Sequence, residues 1–269
     1  MDVLELDDPE AGDWLAEHHP LERPAKRPAS LEAGGAGSSR KRAPLRAPAP
    51  SGRVHLLVGC SIARYSLMDI VGADIIYSKT KGGETWSRLR FTFQDYVDEW
   101  RRFAVSFGLS LGSIVIWLSG NDGYERGTGR NLFLTMTASR VAVLERCIAE
   151  TIALARASSA SVTVIGPLPR IAYDITLPWE QTAAYKVDRK VKEAVGEDDF
   201  VSVGKALTKK LGRRSRHLVT EECGDWFRDD RIHLSPEEYR KVADVEKFPK
   251  WLVLHAAGRL GVGRAECVL

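Results

Sequence analysis

No apolar run in this 269-residue chain approaches the roughly 20 residues a helix needs to cross a bilayer. The N-terminus is acidic where a secretory signal would be basic and then apolar, so neither a span nor a signal peptide is expected. The four cysteines, Cys60, Cys147, Cys223 and Cys267, are far apart and form no Cys-x-x-Cys pair. That spacing argues against a zinc site and against a disulfide framework, and fits a reducing interior. Neither sign of charge dominates, since 39 Lys and Arg face 36 Asp and Glu. A net charge of +3 is too mild to indicate nucleic acid by itself. Phosphate-loop and metal-ligand motifs are missing, and the glycines Gly258, Gly261 and Gly263 follow a helical pattern where a dinucleotide loop needs a strand. No metal and no cofactor are therefore expected. The expectation is an intracellular protein, cytoplasmic or nuclear, unless the chain was cut from a larger precursor.

What is present is the composition of a globular protein, 44% hydrophobic and 28% charged, long enough for one sizeable α/β domain with a tail. Residues 1–53 stand apart. They open acidic (Asp2, Glu5, Asp7, Asp8, Glu10, Asp13) and become basic and rich in Pro, Ala, Gly and Ser, with clusters at Lys26-Arg27 and Arg40-Lys41-Arg42. Such a segment buries too little apolar area to offset the entropy of ordering, and reads as a disordered leader. Its basic clusters allow a nuclear address or nucleic-acid contact, or are simply solvated charge.

From Val54 onward, apolar runs of strand length alternate with amphipathic segments, the pattern of a parallel sheet covered by helices on both faces. Strands are expected at Val54–Val58, Ala73–Tyr77, Ser113–Leu118, Ser161–Ile165 and Phe200–Val203. Helices are expected through Phe93–Phe107, Ala138–Ala157 and Trp179–Val195, and from Ser235-Pro236-Glu237-Glu238 to about Ala257. The fold class is thus α/β, with about five parallel strands. The segment Thr208–Glu222 has no readable pattern.

In such sheets functional groups gather at the carboxyl ends of the strands. Gly59-Cys60-Ser61 ends the first strand, Gly82-Gly83 follows the second, Gly120-Asn121-Asp122 ends the third, and Asp230-Arg231-Ile232-His233 precedes the last helix. Taken singly each has a plain explanation: a helix cap, a flexible turn, an Asn-Asp-Gly turn, a surface histidine. In this order they supply the parts of acyl transfer. Asp230 and His233 are three apart, so a helical or turn-like backbone lets the carboxylate hold Nδ1–H while Nε2 faces Ser61. The Ser61 amide, a glycine amide of Gly82-Gly83 and the Asn121 carboxamide could receive the oxyanion. The α/β-hydrolase elbow is a poorer match, because Ser61 follows the first strand and Ala63 stands at the final glycine.

These blocks resemble the motifs of the SGNH, or GDSL-type, serine hydrolases: Gly-Asp-Ser, a glycine block, Gly-x-Asn-Asp and Asp-x-x-His. The resemblance runs over about Val54 to Lys250 and includes His233-Leu234-Ser235 with Tyr239, and Gly166-Pro167. It implies a three-layer α/β/α flavodoxin-like sandwich. It also implies Ser61 as nucleophile, Asp230 and His233 as acid and base, and Ser61, Gly83 and Asn121 as the oxyanion hole. Its substrate would be a small ester or acetylated molecule. Cys60 replaces the family's aspartate and Ser119 its first glycine in the third block, so an inactive binding or assembly module of the same fold stays open. The segment Leu57–Arg64 also resembles, more loosely, esterase-like domains of retroelement-encoded proteins. The expected layout is a leader over 1–53, the hydrolase-like domain over 54–255 and a C-terminal tail over 256–269.

Overall fold

The computed structural model describes residues 52–66, 68–70, 74–159, 161–211, 216–245, 248 and 252–254. Nearly all of the expected leader, with both basic clusters, lies outside them, as do the 256–269 tail and Cys267.

The run Val54–Val58 is buried on both faces and forms the middle of β1 (Arg53–Gly59). Around it stand β2 (Ile75–Thr80), β3 (Ser110–Trp117), β4 (Val162–Ile165) and β5 (Phe200–Val201). The sheet runs β2-β1-β3-β4-β5 with every pairing parallel, the flavodoxin-like order. The helices are α1 (Ser61–Tyr65), α2 (Trp86–Phe107), α3 (Ala138–Ser158), α4 (Ile171–Asp174), α5 (Ala183–Val195) and α6 (Tyr239–Ala243).

The layering follows from handedness. Right-handed crossovers put α1, on the way from β1 to β2, on one face, and send α2, α3 and α5 to the other when the strand order reverses. Accordingly α2 packs on α3 and α3 on α5, while the Tyr239 hydroxyl of α6 donates to the Ile62 carbonyl of α1 at 3.0 Å. The reversal opens between the carboxyl ends of β1 and β3, where ligands of such sheets bind.

The long helix α2 starts two turns before its expected position, because the Thr85 hydroxyl caps it by accepting from the Arg88 N–H at 3.2 Å. Trp86, Leu89, Phe93, Val97, Trp100 and Ala104 make its buried stripe. The helix expected to reach Ala257 is a correction. Among the described residues of that stretch only Tyr239–Ala243 is helical, and Leu252–Leu254 pairs antiparallel with Met68–Ile70. Pro249 lacks the N–H that a helix there would need, and a Leu-Val-Leu segment beyond it suits a strand. The segment that had no readable pattern contains a small hairpin, Lys209–Leu211 with Arg216–Leu218, and a 3₁₀ turn, Glu221–Trp226. Among the described residues no helix is long and apolar enough to cross a membrane.

Two tight places yield predictions. A Cβ on Gly59 would lie 2.4 Å from the Ala63 Cβ and 2.6 Å from the Trp117 carbonyl oxygen, both fixed to backbone. Gly59→Ala must therefore push β1, α1 and β3 apart, and is expected to cost about 2–3 kcal/mol in urea unfolding. Asp188 of α5 is buried, and the Ser202 hydroxyl is 3.1 Å from each of its carboxylate oxygens. Burial pushes the Asp188 carboxyl up to about 7, against the pull of Ser202 and Lys192. An unfolded aspartate titrates near ~4, so the folded state holds the extra proton between that pH and about 7. Relative stability is then greatest in acid and falls as pH rises toward 7. Asp188→Asn removes the buried charge and is expected to stabilise by about 1–3 kcal/mol at pH 8 and by little at pH 4. Urea midpoints at the two pH values check it; an equal shift at both would show that the charge is not the cause.

Candidate active site

β1 ends against β3, with the Cys60 N–H donating to the Trp117 carbonyl at 3.2 Å. The chain then turns directly into α1. Cys60, not Ser61, is the cap: its Sγ accepts from the Ile62 N–H at 3.4 Å. Ser61 is thereby the first helical residue, half-buried, with its hydroxyl free for another partner.

That partner is His233. Its Nε2 lies 2.7 Å from Ser61 Oγ, and its Nδ1 lies 2.6 Å from Asp230 Oδ2. A carboxylate only accepts, so the proton sits on Nδ1 and Nε2 is left to accept from the serine hydroxyl. Asp230 and His233 stand on a tight loop rather than a helix. Phe227 bridges to Leu234, the Arg228 N–H donates to the His233 carbonyl at 2.7 Å, and Arg231 turns the corner at φ 53°. Asp230 Oδ1 closes the loop by accepting the Ile232 and His233 N–H groups, each at 2.9 Å. Burial alone would raise the Asp230 carboxyl. The His233 amide and imidazole and the Ile232 amide outweigh it and hold the group below its ordinary value. Tyr65 meets the His233 ring edge-on at 5.0 Å and carries the Arg228 guanidinium on its face at 4.4 Å.

The other two sequence candidates follow the carboxyl ends of β2 and β3 and are joined through Glu84. The Lys81 N–H donates to the Gly59 carbonyl at 2.9 Å, which starts the Gly82-Gly83 turn beside the end of β1. Gly83 holds φ 67°, a conformation that side chains rarely adopt. Asn121 follows β3 and donates from Nδ2 to the Glu84 carbonyl at 2.7 Å. Its neighbour Asp122 accepts from the Trp86 N–H at 3.0 Å, so the Asn121-Asp122 pair clamps the loop between Gly83 and α2. Burial pushes the Asp122 carboxyl up to about 6. Among the described residues no hydrogen bond joins Ser61 to Gly83 or Asn121, and the backbone N–H groups of Ser61 and Gly83 have no acceptor.

Sequence reasoning missed Arg170. It follows Gly166-Pro167-Leu168-Pro169 past the end of β4, and its guanidinium donates from Nη2 to Asn121 Oδ1. The only signal was its place at a strand's carboxyl end. No group of three or more His, Cys, Asp or Glu among the described residues stands ready to hold a metal ion.

No protein-family model matches the chain, and no curated protein does. Solved structures do. A catalytic mutant of Axe2, an acetylxylan esterase from Geobacillus stearothermophilus, is 14% identical over 72% of this chain and 91% of that one, with a TM-score of 0.48. A GDSL-like lipase from Bacteroides thetaiotaomicron is 15% identical over 72% and 85%, with a TM-score of 0.44. A lipase/acylhydrolase from Enterococcus faecalis is 16% identical over 72% and 92%, with a TM-score of 0.42. At these identities the likeness is one of fold, and the looser likeness to retroelement-encoded domains gains nothing from it.

Proposed function

We propose that this chain is a serine hydrolase of the SGNH type, cleaving a small ester or an acetyl group through an acyl-serine intermediate. The observation that carries the reading is the unbroken chain from Ser61 Oγ through His233 to Asp230, at 2.7 and 2.6 Å. In this reading residues 54–255 are the hydrolase domain, flanked by the leader and the tail.

The steps follow from the donors and acceptors. Ser61 Oγ attacks the substrate carbonyl carbon while its proton passes to His233 Nε2, and the imidazolium is stabilised by Asp230. The carbonyl oxygen becomes an oxyanion, received by the Ser61 and Gly83 N–H groups and by the second Nδ2 hydrogen of Asn121. His233 returns the proton to the leaving alcohol oxygen as the C–O bond breaks. Water, deprotonated by the same nitrogen, then releases the acid and restores Ser61. Cys60 does not compete as nucleophile in this scheme, because it is buried and its sulfur is turned into the α1 cap.

Labelling with a fluorophosphonate probe tests the proposal without a guess at the substrate. Label on the wild type and none on Ser61→Ala supports it. A folded wild type that takes no label would move the chain to the binding or assembly reading.

A further inference from the structure

Arg170 is 9% exposed, and its guanidinium carbon lies over the Tyr124 ring, 4.3 Å from the centroid. A guanidinium stays charged and donates only. Burying one costs several kcal/mol unless it is fully paired, yet this one is not: Nε finds no partner among the described residues. A carboxylate stands close enough to attract it, but among the described residues no hydrogen bond joins that carboxylate to the guanidinium. Asp174 Oδ2 instead takes the Tyr124 hydroxyl at 2.5 Å and the backbone N–H of Arg170 itself at 2.9 Å. Tyr124 is fixed further by accepting the Ala184 N–H at 3.2 Å. The guanidinium, braced on this platform, spends its hydrogen bond on the neutral carboxamide of Asn121.

The two ends of that carboxamide differ in what they can do. An amide oxygen accepts and an amide nitrogen donates, so a flipped Asn121 would turn its NH₂ toward a guanidinium and its oxygen toward the Glu84 carbonyl. Both contacts would be repulsive. With Arg170 present, only one orientation satisfies both neighbours: Oδ1 on Arg170 and Nδ2 on Glu84, with one Nδ2 hydrogen left over.

We infer that Arg170 is the positioning residue of the oxyanion hole, holding Asn121 with its donor end toward the reacting centre. This rests on the proposed hydrolase reading for its consequence in rate, but its structural half stands alone.

A double-mutant cycle with p-nitrophenyl acetate tests the first half. Asn121→Ala is expected to lower kcat by on the order of 10²–10³-fold. Arg170→Gln should lower kcat by about 30–100-fold with KM within about twofold in the wild type, but by less than about threefold in the Asn121→Ala background. Arg170→Lys, which keeps charge and loses the fork, should restore only a small part. An equal loss in both backgrounds would overturn the inference, since a residue that merely supports the fold does not act through Asn121. The second half needs no turnover. The Asn121 side-chain NH₂ signals in an ¹⁵N spectrum, assigned by their absence from Asn121→Ala, should shift and broaden in Arg170→Gln, and unchanged signals would overturn the inference. Failure of the hydrolase reading looks different: the wild type would show no Ser61-dependent turnover, while the NMR result would still decide on Arg170.

Discussion

Replacing Ser61 by alanine is expected to lower kcat by on the order of 10⁵–10⁶-fold and to abolish fluorophosphonate labelling, while leaving the unfolding midpoint nearly unchanged. The size follows from what the hydroxyl does. In the proposed mechanism it supplies the bond to the acyl group, and Cys60 does not replace it, being turned away into the helix cap. The stability effect is small because Ser61 is half-buried and is not the residue that caps α1. His233→Ala should lose about as much, and the double variant hardly more than either single one, because nucleophile and base act as one unit. Additive losses would mean that Ser61 and His233 serve separate purposes, and retained labelling would assign the chemistry to another side chain.

Asp230→Asn is expected to lower kcat by on the order of 10³–10⁴-fold with KM within a few-fold. The asparagine can keep its oxygen on the Ile232 and His233 amides, so the loop holds its shape. Its other end is a donor. It faces Nδ1, moves the imidazole proton to Nε2, and so blocks acceptance from the Ser61 hydroxyl. The Asp230 side chain is 46% exposed, against 17% for His233, so water can take part of its place, and the lower part of the range is the better expectation. Because the wild-type carboxyl is held below its ordinary value, it stays ionised across pH 5–9 and should not shape the pH–rate curve there. A loss under tenfold in Asp230→Asn, with a larger one in Asp230→Ala, would make Asp230 a loop fastener only.

The parts of this site that were legible in sequence are those written locally. The buried run Val54–Val58 with Gly59 announces a strand that must turn sharply. Asn121-Asp122 is a short turn block at a strand's end, and Asp230 and His233 reach each other across one turn, so local pattern alone picks them out. Arg170 could not be found that way: its partner is 49 residues distant, and nothing in Gly-Pro-Leu-Pro-Arg says which way the guanidinium points. The same holds for Leu252–Leu254, a three-residue strand whose pairing with Met68–Ile70 is set by distant contacts. Pro249, which argues against a helix running to Ala257, was readable, and the Ser-Pro-Glu-Glu start signal outweighed it. The cap of α2 by Thr85 was readable as well, since its partner is only three residues on.

Ser61 and His233 are 172 residues apart in the chain. At synthesis rates of about 5–20 residues per second, the serine leaves the ribosome on the order of 10–30 s before its histidine. In the proposed mechanism the nascent chain carries throughout that interval an ordinary serine hydroxyl, without the base assigned to it, among the esters and activated acyl compounds of the cell. On the proposed reading, a chain stalled or cut anywhere before His233 holds the serine without its base.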